Sequence, residues 1–462
     1  MSGGSIVKRN LSTIQQWLQA EGQHIAAQQV TGVCIDSRNV QAGDLFIPFR
    51  GEQVNGHQYV KGAIEKGAIA ALWLKDEPNP PADIPLLFVE DSELALQQMA
   101  RSYRSELTCT VIGVTGSNGK TSTKDLIAGV LSPYRKVKKT EGNFNNELGL
   151  PLTLLSIEDD TEVAILEMGM SGFGEISFLS TLAKPQFAVI TNIGEAHMQD
   201  LGSREGIAKA KFEITDGLTS GGMLLYDGDE PLLQELVRQQ PDFYSVSFGY
   251  EQADLTAQHI LSTDKGSSFT VTGKLEGQFT IPVYGSHQVK NALAAVMIAK
   301  ELGLSEKQIE ESLSGTLLTD MRMQPMVGKN GSLLINDAYN AAPTSMRAAF
   351  RFIDETSVKE DKWLVLGDML ELGTDERHYH EGLAEDLKKM NVKGIALFGS
   401  RMKWLADQLT DYPGEVMWTA NDTDLLAEAL RPKLTEQTVV LFKGSRGMKL
   451  ERIIAMLTEE QL

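Results

Sequence analysis

Cysteine is nearly absent from this sequence. Among its 462 residues only Cys34 and Cys109 occur, and neither belongs to a C-x-x-C pair. Two isolated thiols provide neither a disulfide framework nor the thiolate set of a structural zinc site. Hydrophobic cores must therefore hold the fold together, and a chain of this length is expected to form two or three domains.

Long hydrophobic runs are also missing. No apolar stretch approaches the ~18 residues of a membrane-spanning helix. The first ten residues, MSGGSIVKRN, lack the apolar centre of a secretory signal. These absences predict a cytoplasmic protein without a membrane partner. Nothing in the sequence demands an oligomer, so a monomer is expected.

Positive charge is scarce. The chain carries 43 Lys and Arg against 62 Asp and Glu, which gives a formal net charge of -19. A surface this acidic repels a phosphate backbone, so no nucleic-acid partner is expected. A small anionic substrate is compatible with the composition, because a local cluster of donors can overcome the field of the whole molecule.

Short apolar runs divide the chain into three predicted α/β units. Residues 1–106 contain short mixed elements and are expected to form a small mixed α/β domain. Within residues 107–322, apolar runs alternate with helical stretches, which is typical of a parallel sheet with crossover helices. The predicted strands of this unit are 110–114, 163–167, 187–191 and 222–226. Shorter alternating runs between 243 and 284 predict an antiparallel patch.

Residues 323–462 show the same alternation and predict a Rossmann-like α/β domain. Its predicted strands are 333–336, 363–367, 395–399 and 438–442, and its predicted helices are 344–356, 380–390, 422–431 and 447–458. In such domains, ligands bind at the carboxyl ends of the strands.

The strongest chemical signal is a phosphate loop (P-loop) after the strand 110–114. The segment GVTGSNGKT, residues 113–121, joins that strand to a predicted helix ending near Leu131. Backbone N–H groups and the helix N-terminus would face the phosphates of ATP, Lys120 would add a positive charge, and the Thr121 hydroxyl would bind Mg²⁺. Val114 stands where the strict motif has glycine. The predicted ATP-binding residues are Thr115, Gly116, Ser117, Asn118, Gly119, Lys120 and Thr121.

Further candidates follow the neighbouring strands. Glu167 ends the run VAILE, where a carboxylate beside a P-loop suits Mg²⁺. His197 lies past the strand 187–191 and would face the same crevice. The next helix carries Lys209 and Lys211, and their spacing gives no reason to prefer either.

The order of these elements resembles the Mur ligase family, the ATP-dependent amide-forming enzymes of peptidoglycan precursor synthesis. Its GxxGxxGK[TS] loop corresponds to residues 113–121, and its E-x-x-x-A-x-K-type pattern is matched at its ends by Glu205 and Lys211, with Lys209 at the alanine position. The resemblance implies that Glu167 and His197 bind Mg²⁺. It also implies that Lys211, rather than Lys209, reacts with CO₂ to form a metal-binding carbamate.

The resemblance extends to the nucleotide contacts and covers about residues 30 to 450. The segments GSH at 285–287 and KNA at 290–292 resemble the family's adenine side. Asn291 is then expected to contact the base, Arg322 the phosphates and Asp337 the ribose. The implied catalytic residues are Lys120, Glu167, His197 and Lys211, and the implied metal ligands are Thr121, Glu167, His197 and Lys211.

Three segments favour the member of the family that joins D-alanyl-D-alanine to UDP-N-acetylmuramoyl-tripeptide. They are NFNNELGLP at 143–151, EMGM at 167–170, and KGSR at 443–446 in a final domain that lacks a D-N-P-R motif. Many relatives have YNANP where this chain has YNAAP at 339–343. The implied contacts are Ser37, Arg38, Asn145 and Asn146 for the UDP substrate, and Tyr339, Asn340, Ser445 and Arg446 for the dipeptide.

Two alternatives stay open from the sequence. The chain could add a free amino acid to a UDP-muramoyl-dipeptide, or it could be a non-catalytic ATP-binding protein. The complete set of predicted phosphate and metal contacts argues against a pure binding protein, which does not need every metal ligand.

Overall fold

The computed structural model describes residues 7–25, 27–195, 198–240, 243–263 and 266–459. Within these ranges the strands form three large sheets, of five, nine and six strands, and one two-stranded ribbon. Each large sheet draws its strands from a single continuous segment of chain. No helix in the described part of the chain has both the length and the apolar character that a bilayer crossing requires.

The first segment forms the five-stranded sheet, which has the order β2-β7-β6-β5-β4 and is parallel except for the β2–β7 pair. The ribbon pairs β1 with β3. The strands are β1 (Arg9–Asn10), β2 (Glu21–Gln23), β3 (Gln29–Val30), β4 (Gly32–Cys34), β5 (Asp44–Phe46), β6 (Ala70–Leu74) and β7 (Leu86–Val89); the helices are α1 (Leu11–Leu18), α2 (Val60–Glu65) and α3 (Ser92–Glu106).

The second segment forms the nine-stranded sheet, with the order β16-β15-β14-β13-β12-β11-β8-β10-β9. Its strands are β8 (Thr110–Thr115), β9 (Val137–Lys139), β10 (Val163–Glu167), β11 (Phe187–Ile190), β12 (Met223–Asp227), β13 (Tyr244–Gly249), β14 (Leu255–Thr263), β15 (Gly266–Gly273) and β16 (Gly277–Ile281). Its helices are α4 (Lys120–Leu131), α5 (Gly149–Leu155), α6 (Glu175–Ala183), α7 (Met198–Leu201), α8 (Arg204–Phe212), α9 (Pro231–Gln239), α10 (Ser286–Glu301) and α11 (Glu306–Ser314).

The third segment forms the six-stranded sheet, with the order β17-β18-β22-β19-β20-β21. Its strands are β17 (Gln324–Val327), β18 (Leu333–Asp337), β19 (Asp361–Gly367), β20 (Gly394–Phe398), β21 (Glu415–Thr419) and β22 (Thr438–Lys443). Its helices are α12 (Pro343–Glu355), α13 (Glu376–Glu381), α14 (Ala384–Leu387), α15 (Met402–Gln408), α16 (Thr423–Leu430) and α17 (Glu451–Leu457).

The central parallel strands are buried on both faces. Every residue of β10 is buried, and β8 is buried from Val111 to Thr115. Helices cover the two faces, as the apolar strand sequences require. β8 lies between β10 and β11, so the carboxyl ends of these three strands open into one crevice.

One sequence prediction about this fold is confirmed only in part, and another is wrong. The run 243–284 is only partly antiparallel: β13 pairs in parallel with β12, and the antiparallel pairs are β14–β15 and β15–β16. The alternation of polar and apolar residues in β13 therefore does not mark an antiparallel strand, and its last four residues are buried. The helix predicted over 380–390 is broken after Glu381, where Gly382 interrupts it before α14.

Candidate active site

The P-loop is built against the end of the neighbouring strand β11. The Ser117 hydroxyl accepts a hydrogen bond from the Gly194 N–H at 2.8 Å, and the Asn118 N–H donates to Asn192 Oδ1 at 3.0 Å. Gly116 has φ +148°, and a Cβ there would overlap the Thr191 hydroxyl. Glycine is required at 116 for both reasons, so the loop has its shape before any phosphate binds.

Thr115 does not offer its side chain to a ligand. Its hydroxyl is buried and donates to the Met168 carbonyl at 2.9 Å, which ties the end of β8 to the segment after β10. Thr115, although predicted to bind ATP, therefore supports the P-loop by fixing the end of β8.

Thr121 and Glu167 meet as the sequence predicts. The Thr121 hydroxyl donates to Glu167 Oε2 at 3.0 Å, and Asn145 Nδ2 donates to Glu167 Oε1 at 2.9 Å. Both Thr121 and Glu167 are buried. A hydroxyl and a carboxylate are the hard oxygen donors that Mg²⁺ prefers, and they lie beside a loop shaped for phosphates. The residues present thus fit the ion.

Two lysines of this region have little charge compensation among the described residues. The half-buried Lys120 donates to the Gly116 carbonyl at 2.9 Å, and burial lowers its pKa. Lys211 is only 2% exposed, and burial, together with the positive charge of Lys120, places its pKa well below the usual lysine value. Lys209 is exposed. Helix α8 therefore selects Lys211 as the buried amine, a choice that spacing alone did not give.

His197, the remaining predicted metal ligand, lies outside the described residues, together with Ala196. Within the described ranges, no group of three or more His, Cys, Asp or Glu side chains gathers to hold a metal ion. Among the predicted metal ligands, the described side chains that offer oxygen atoms are Thr121 and Glu167.

A cavity of about 240 Å³ opens between the second and third segments of the chain. Asn118, Gly119 and Asn291 line one wall, and Arg322 and Asp337 lie on the other side. Asn291 is buried directly against Gly119. These five predicted nucleotide contacts, drawn from both segments, therefore surround one space.

Arg322 reaches across this cavity to the P-loop helix. Its Nη2 donates to Thr121 Oγ1 at 3.3 Å, and its guanidinium lies 4.2 Å from the centre of the Tyr339 ring. Arg322 Nε is buried and has no hydrogen-bond partner among the described residues. An unpaired donor of this kind is costly unless a ligand accepts from it.

On the third segment, Asp337 is already paired. Lys443 Nζ lies 2.5 Å from Asp337 Oδ2, and it also donates to the Asn340 carbonyl at 3.2 Å. This pair occupies the carboxyl ends of the adjacent strands β18 and β22. Asn340 itself is exposed.

The predicted UDP contacts do not line the cavity. Arg38 is exposed, and its Nη2 pairs with Asp36 Oδ2 at 2.8 Å, which lowers the pKa of Asp36 to about 2. The Ser37 carbonyl accepts from Lys66 Nζ at 2.7 Å. Asn146 Oδ1 accepts from the Gly149 N–H at the start of α5. Among these four predicted contacts, Asn145 lies near the P-loop, because it donates a hydrogen bond to Glu167.

Two predicted dipeptide contacts also lie away from the cavity. Ser445 is buried, and its hydroxyl accepts from the Leu370 N–H at 2.8 Å. Arg446 is exposed and pairs with Glu451 at 2.5 Å. Asn340, by contrast, lines the cavity, and Tyr339 stacks under Arg322.

Sequence reasoning missed two buried ionisable residues on the P-loop helix. Lys124 is 2% exposed and donates to the Thr140 carbonyl at 2.9 Å, with Glu167 Oε2 3.9 Å from its Nζ. Asp125, 1% exposed, follows it. The available signal was the i, i+4 spacing of Lys120 and Lys124, which places both on one side of the helix.

The fold and site define an ATP-dependent ligase of three α/β units, and comparison with known proteins agrees: the chain belongs to the Mur ligase family. Three family profiles match it, namely the Mur ligase family catalytic domain at residues 29–104, the Mur ligase middle domain at 114–299 and the Mur ligase glutamate ligase domain at 321–446.

Individual relatives indicate which member of the family the chain resembles. The chain is 42% identical to the UDP-N-acetylmuramoyl-tripeptide–D-alanyl-D-alanine ligase of Bacillus subtilis, over 99% of this chain and 100% of that protein. It superposes on a crystal structure of MurF from Acinetobacter baumannii with a TM-score of 0.88 and 29% identity, covering 98% and 99% of the two chains. For MurF ligase from Thermotoga maritima in complex with ADP, the TM-score is 0.82 and the identity 28%, covering 92% of this chain and 96% of that one.

Proposed function

We propose that this chain is an ATP-dependent ligase that joins D-alanyl-D-alanine to UDP-N-acetylmuramoyl-tripeptide, giving the UDP-N-acetylmuramoyl-pentapeptide precursor of peptidoglycan, ADP and phosphate. The observation that carries the proposal is the buried Thr121–Glu167 pair beside a preformed P-loop, in a chain that matches ligases of this name over its whole length. ADP in the related Thermotoga structure supports ATP as the nucleotide.

The reaction divides into two transfers. The terminal carboxylate of the tripeptide attacks the γ-phosphorus of ATP, which forms an acyl phosphate and releases ADP. The amine of D-alanyl-D-alanine then attacks the acyl carbon, loses a proton, and the tetrahedral intermediate expels phosphate. Since a carboxylate is a poor acyl donor, the phosphoryl group supplies the leaving group, and the protein mainly positions the reactants and stabilises charge.

Lys120 is assigned to the β- and γ-phosphates, where its ammonium would offset the charge that develops during transfer. The orphaned Nε of Arg322 supports a phosphate contact from the opposite wall of the cavity. Asn291 and Asp337 complete the proposed nucleotide contacts, with Gly116, Ser117, Asn118 and Gly119 contributing the backbone of the loop and Thr115 its anchor.

Mg²⁺ is expected to be held by Thr121, Glu167, His197 and Lys211, and it would neutralise phosphate oxygens. The low pKa of Lys211 supports the carbamate, because a neutral amine can attack CO₂ and release a proton. The carbamate would bring a negative charge to a lysine that has no anionic partner in the described part of the chain.

The remaining assignments stay predictions. They are the substrate contacts at Ser37, Arg38, Asn145 and Asn146, the dipeptide contacts at Tyr339, Asn340, Ser445 and Arg446, and the domain boundaries after residues 106 and 322. A monomer acting in the cytoplasm on small-molecule substrates, without nucleic acid or a membrane, is likewise proposed.

The test is phosphate release from ATP and Mg²⁺ in the presence of a UDP-muramoyl-tripeptide. We expect release with D-alanyl-D-alanine and not with free amino acids, together with a pentapeptide product identified by mass. Release only with a free amino acid and the UDP-muramoyl-dipeptide would show that the chain adds a free amino acid to the dipeptide precursor instead. No release with any pair would leave a nucleotide-binding protein.

A further inference from the structure

The segment that connects the second and third sheets lies along the P-loop helix. This linker, residues 315–323, joins α11 to β17. Its Thr316 packs against Gly129, its Thr319 bonds to Asp125, and its Arg322 bonds to Thr121. The contacted helix residues, Thr121, Asp125 and Gly129, are four positions apart and therefore lie on one face of the helix. The linker residues that meet them are three positions apart. The two segments run in opposite directions, joined at three regularly spaced points.

Asp125 forms the strongest of these contacts. Its Oδ2 accepts from both the N–H and the hydroxyl of Thr319, at 2.8 and 2.5 Å. Its Oδ1 accepts from Lys139 Nζ at 2.6 Å. Burial alone would raise the pKa of Asp125, but the charge of Lys124 and these hydrogen bonds hold it below the usual value. The side chain is a buried anion that the linker helps to compensate.

Gly129 permits the first contact. A Cβ at this position would overlap the Thr316 side chain, which is 3% exposed. Helix interiors ordinarily favour alanine over glycine. A glycine here lets the linker approach the helix backbone at the end farther from the P-loop.

The third contact ends in a constrained backbone. Met321 and Met323, on either side of Arg322, have φ of +65° and +52°, a left-handed conformation that is costly for such side chains. Met323 is fully buried, and its N–H donates to Asp337 Oδ1 at 3.1 Å. Arg322 therefore has little freedom to leave the Thr121 hydroxyl once the linker is fixed on both sides.

We propose that Asp125 is a positioning residue, which fastens the linker to the P-loop helix through Thr319 and thereby holds Arg322 at the nucleotide. Asp125 itself does not line the cavity; it acts through Thr319 and the two residues that separate Thr319 from Arg322. The inference rests on the proposed function for one point, the contact between Arg322 and the nucleotide phosphates.

A double-mutant cycle on nucleotide affinity tests this. Thr319→Val removes the hydroxyl that donates to Asp125, Thr319→Ser keeps it, and Asp125→Asn removes the charge. Each is made in the full-length chain with Arg322 present and with Arg322→Ala. The readouts are the Kd of ADP by calorimetry, with and without Mg²⁺, and kcat and KM for ATP and for D-alanyl-D-alanine.

We expect Thr319→Val and Asp125→Asn to weaken ADP binding and raise the KM for ATP by about tenfold, the size of one lost hydrogen bond to a charged group. The KM for D-alanyl-D-alanine should be unchanged, and Thr319→Ser should resemble the parent chain. In the Arg322→Ala background both variants should have less than about a twofold effect, because the residue they position is gone.

Leu317→Ala is the matched control, since this linker side chain is 88% exposed. Equal losses in both backgrounds, or an effect of Leu317→Ala as large as that of Thr319→Val, would overturn the proposal. If Asp125→Asn fails to fold, the Thr319 pair still decides the matter. If the expected coupling is found for ADP binding but the chain has no ligase activity, the proposed function is rejected and the positioning role of Asp125 stands.

Discussion

The central and C-terminal sheets each place a deeply buried lysine near the carboxyl ends of their strands, but the two lysines differ in their surroundings. Lys443, 3% exposed, lies 2.5 Å from Asp337. Lys211, 2% exposed, has no hydrogen bond or ion pair to a described side chain, and its pKa is well below the usual value. A buried charge is tolerated only with a partner. The fold supplies one to Lys443, whereas no described side chain supplies one to Lys211.

The same difference holds for the polar groups around each lysine. On the C-terminal sheet, Asp368 accepts from the Met402 N–H at 2.8 Å, so that side chain too is satisfied internally. At the P-loop, Lys120 donates to a carbonyl of its own loop, and Arg322 Nε, on the opposite wall of the cavity, has no partner among the described residues. We place the phosphates at the P-loop, where these donors have no internal partner. The C-terminal sheet, whose buried charges are paired, supports that site.

Lys120→Ala should have the largest effect on turnover. We expect kcat to fall by about a thousandfold or more, because the cation nearest the transferred phosphoryl group is removed. Far-ultraviolet circular dichroism and the melting temperature should stay near those of the parent chain, since the hydrogen bond that Lys120 makes among the described residues is to its own loop. Near-normal activity would reject the assignment of residues 113–121 as the phosphate loop.

Lys443→Ala should show the opposite pattern. Leaving Asp337 buried without its partner should lower the free energy of unfolding by about 3–5 kcal/mol. Urea unfolding followed by fluorescence measures this, with Lys433→Ala, a surface lysine paired with Glu415, as the control. If Lys443→Ala and Lys120→Ala destabilise the fold equally, the contrast between the two sheet edges is false.

Lys211→Ala should reduce activity by about a hundredfold, because a metal-binding group is lost. Added short-chain carboxylic acids should restore part of the activity by occupying the position of the carbamate. Lys209→Ala is the matched control, two residues away on the exposed side of α8. Rescue of Lys209→Ala in place of Lys211→Ala would show that the carbamate is assigned to the wrong residue.

The smallest effect concerns His287, which lies between the two units. Burial lowers its pKa to about 4, with Asp337 opposing this shift and Lys443 and Arg351 reinforcing it. The folded state thus prefers the neutral ring, and its contribution to stability is complete above about pH 6.5 and is lost as the pH falls toward 4. We expect a loss of about 1–2 kcal/mol at pH 5. Urea unfolding at pH 7.5 and 5 measures it, and His287→Gln should show a correspondingly smaller change.

The features predicted from sequence are those with local causes. The β8–P-loop–α4 unit follows from an apolar run, glycines and a helix start, and Glu167 follows from its place at the end of β10. Strands with weaker patterns escaped prediction: β21 is half-exposed along much of its length, and β17 contains Pro325 at the sheet edge.

The linker contacts could not be predicted, because they depend on burial from distant parts of the chain. Helix α4 is buried on nearly every side, although its sequence KTSTKDLIAGVL carries Lys124 and Asp125, which would ordinarily face solvent. Their partners come from elsewhere in the chain: Lys124 donates to the Thr140 carbonyl, and Asp125 accepts from Lys139 and from Thr319 of the linker. The same reasoning explains why spacing could not separate Lys209 from Lys211.

The three-point contact between linker and helix also limits how this chain can change in length. Connections between domains usually tolerate insertions and deletions. Here one added residue between Thr316 and Arg322 would put the wrong side chain opposite Asp125 or opposite Thr121. We therefore expect this surface connection to be as intolerant of a single inserted codon as a buried strand, whereas substitutions at its outward-facing Leu317 should be accepted freely.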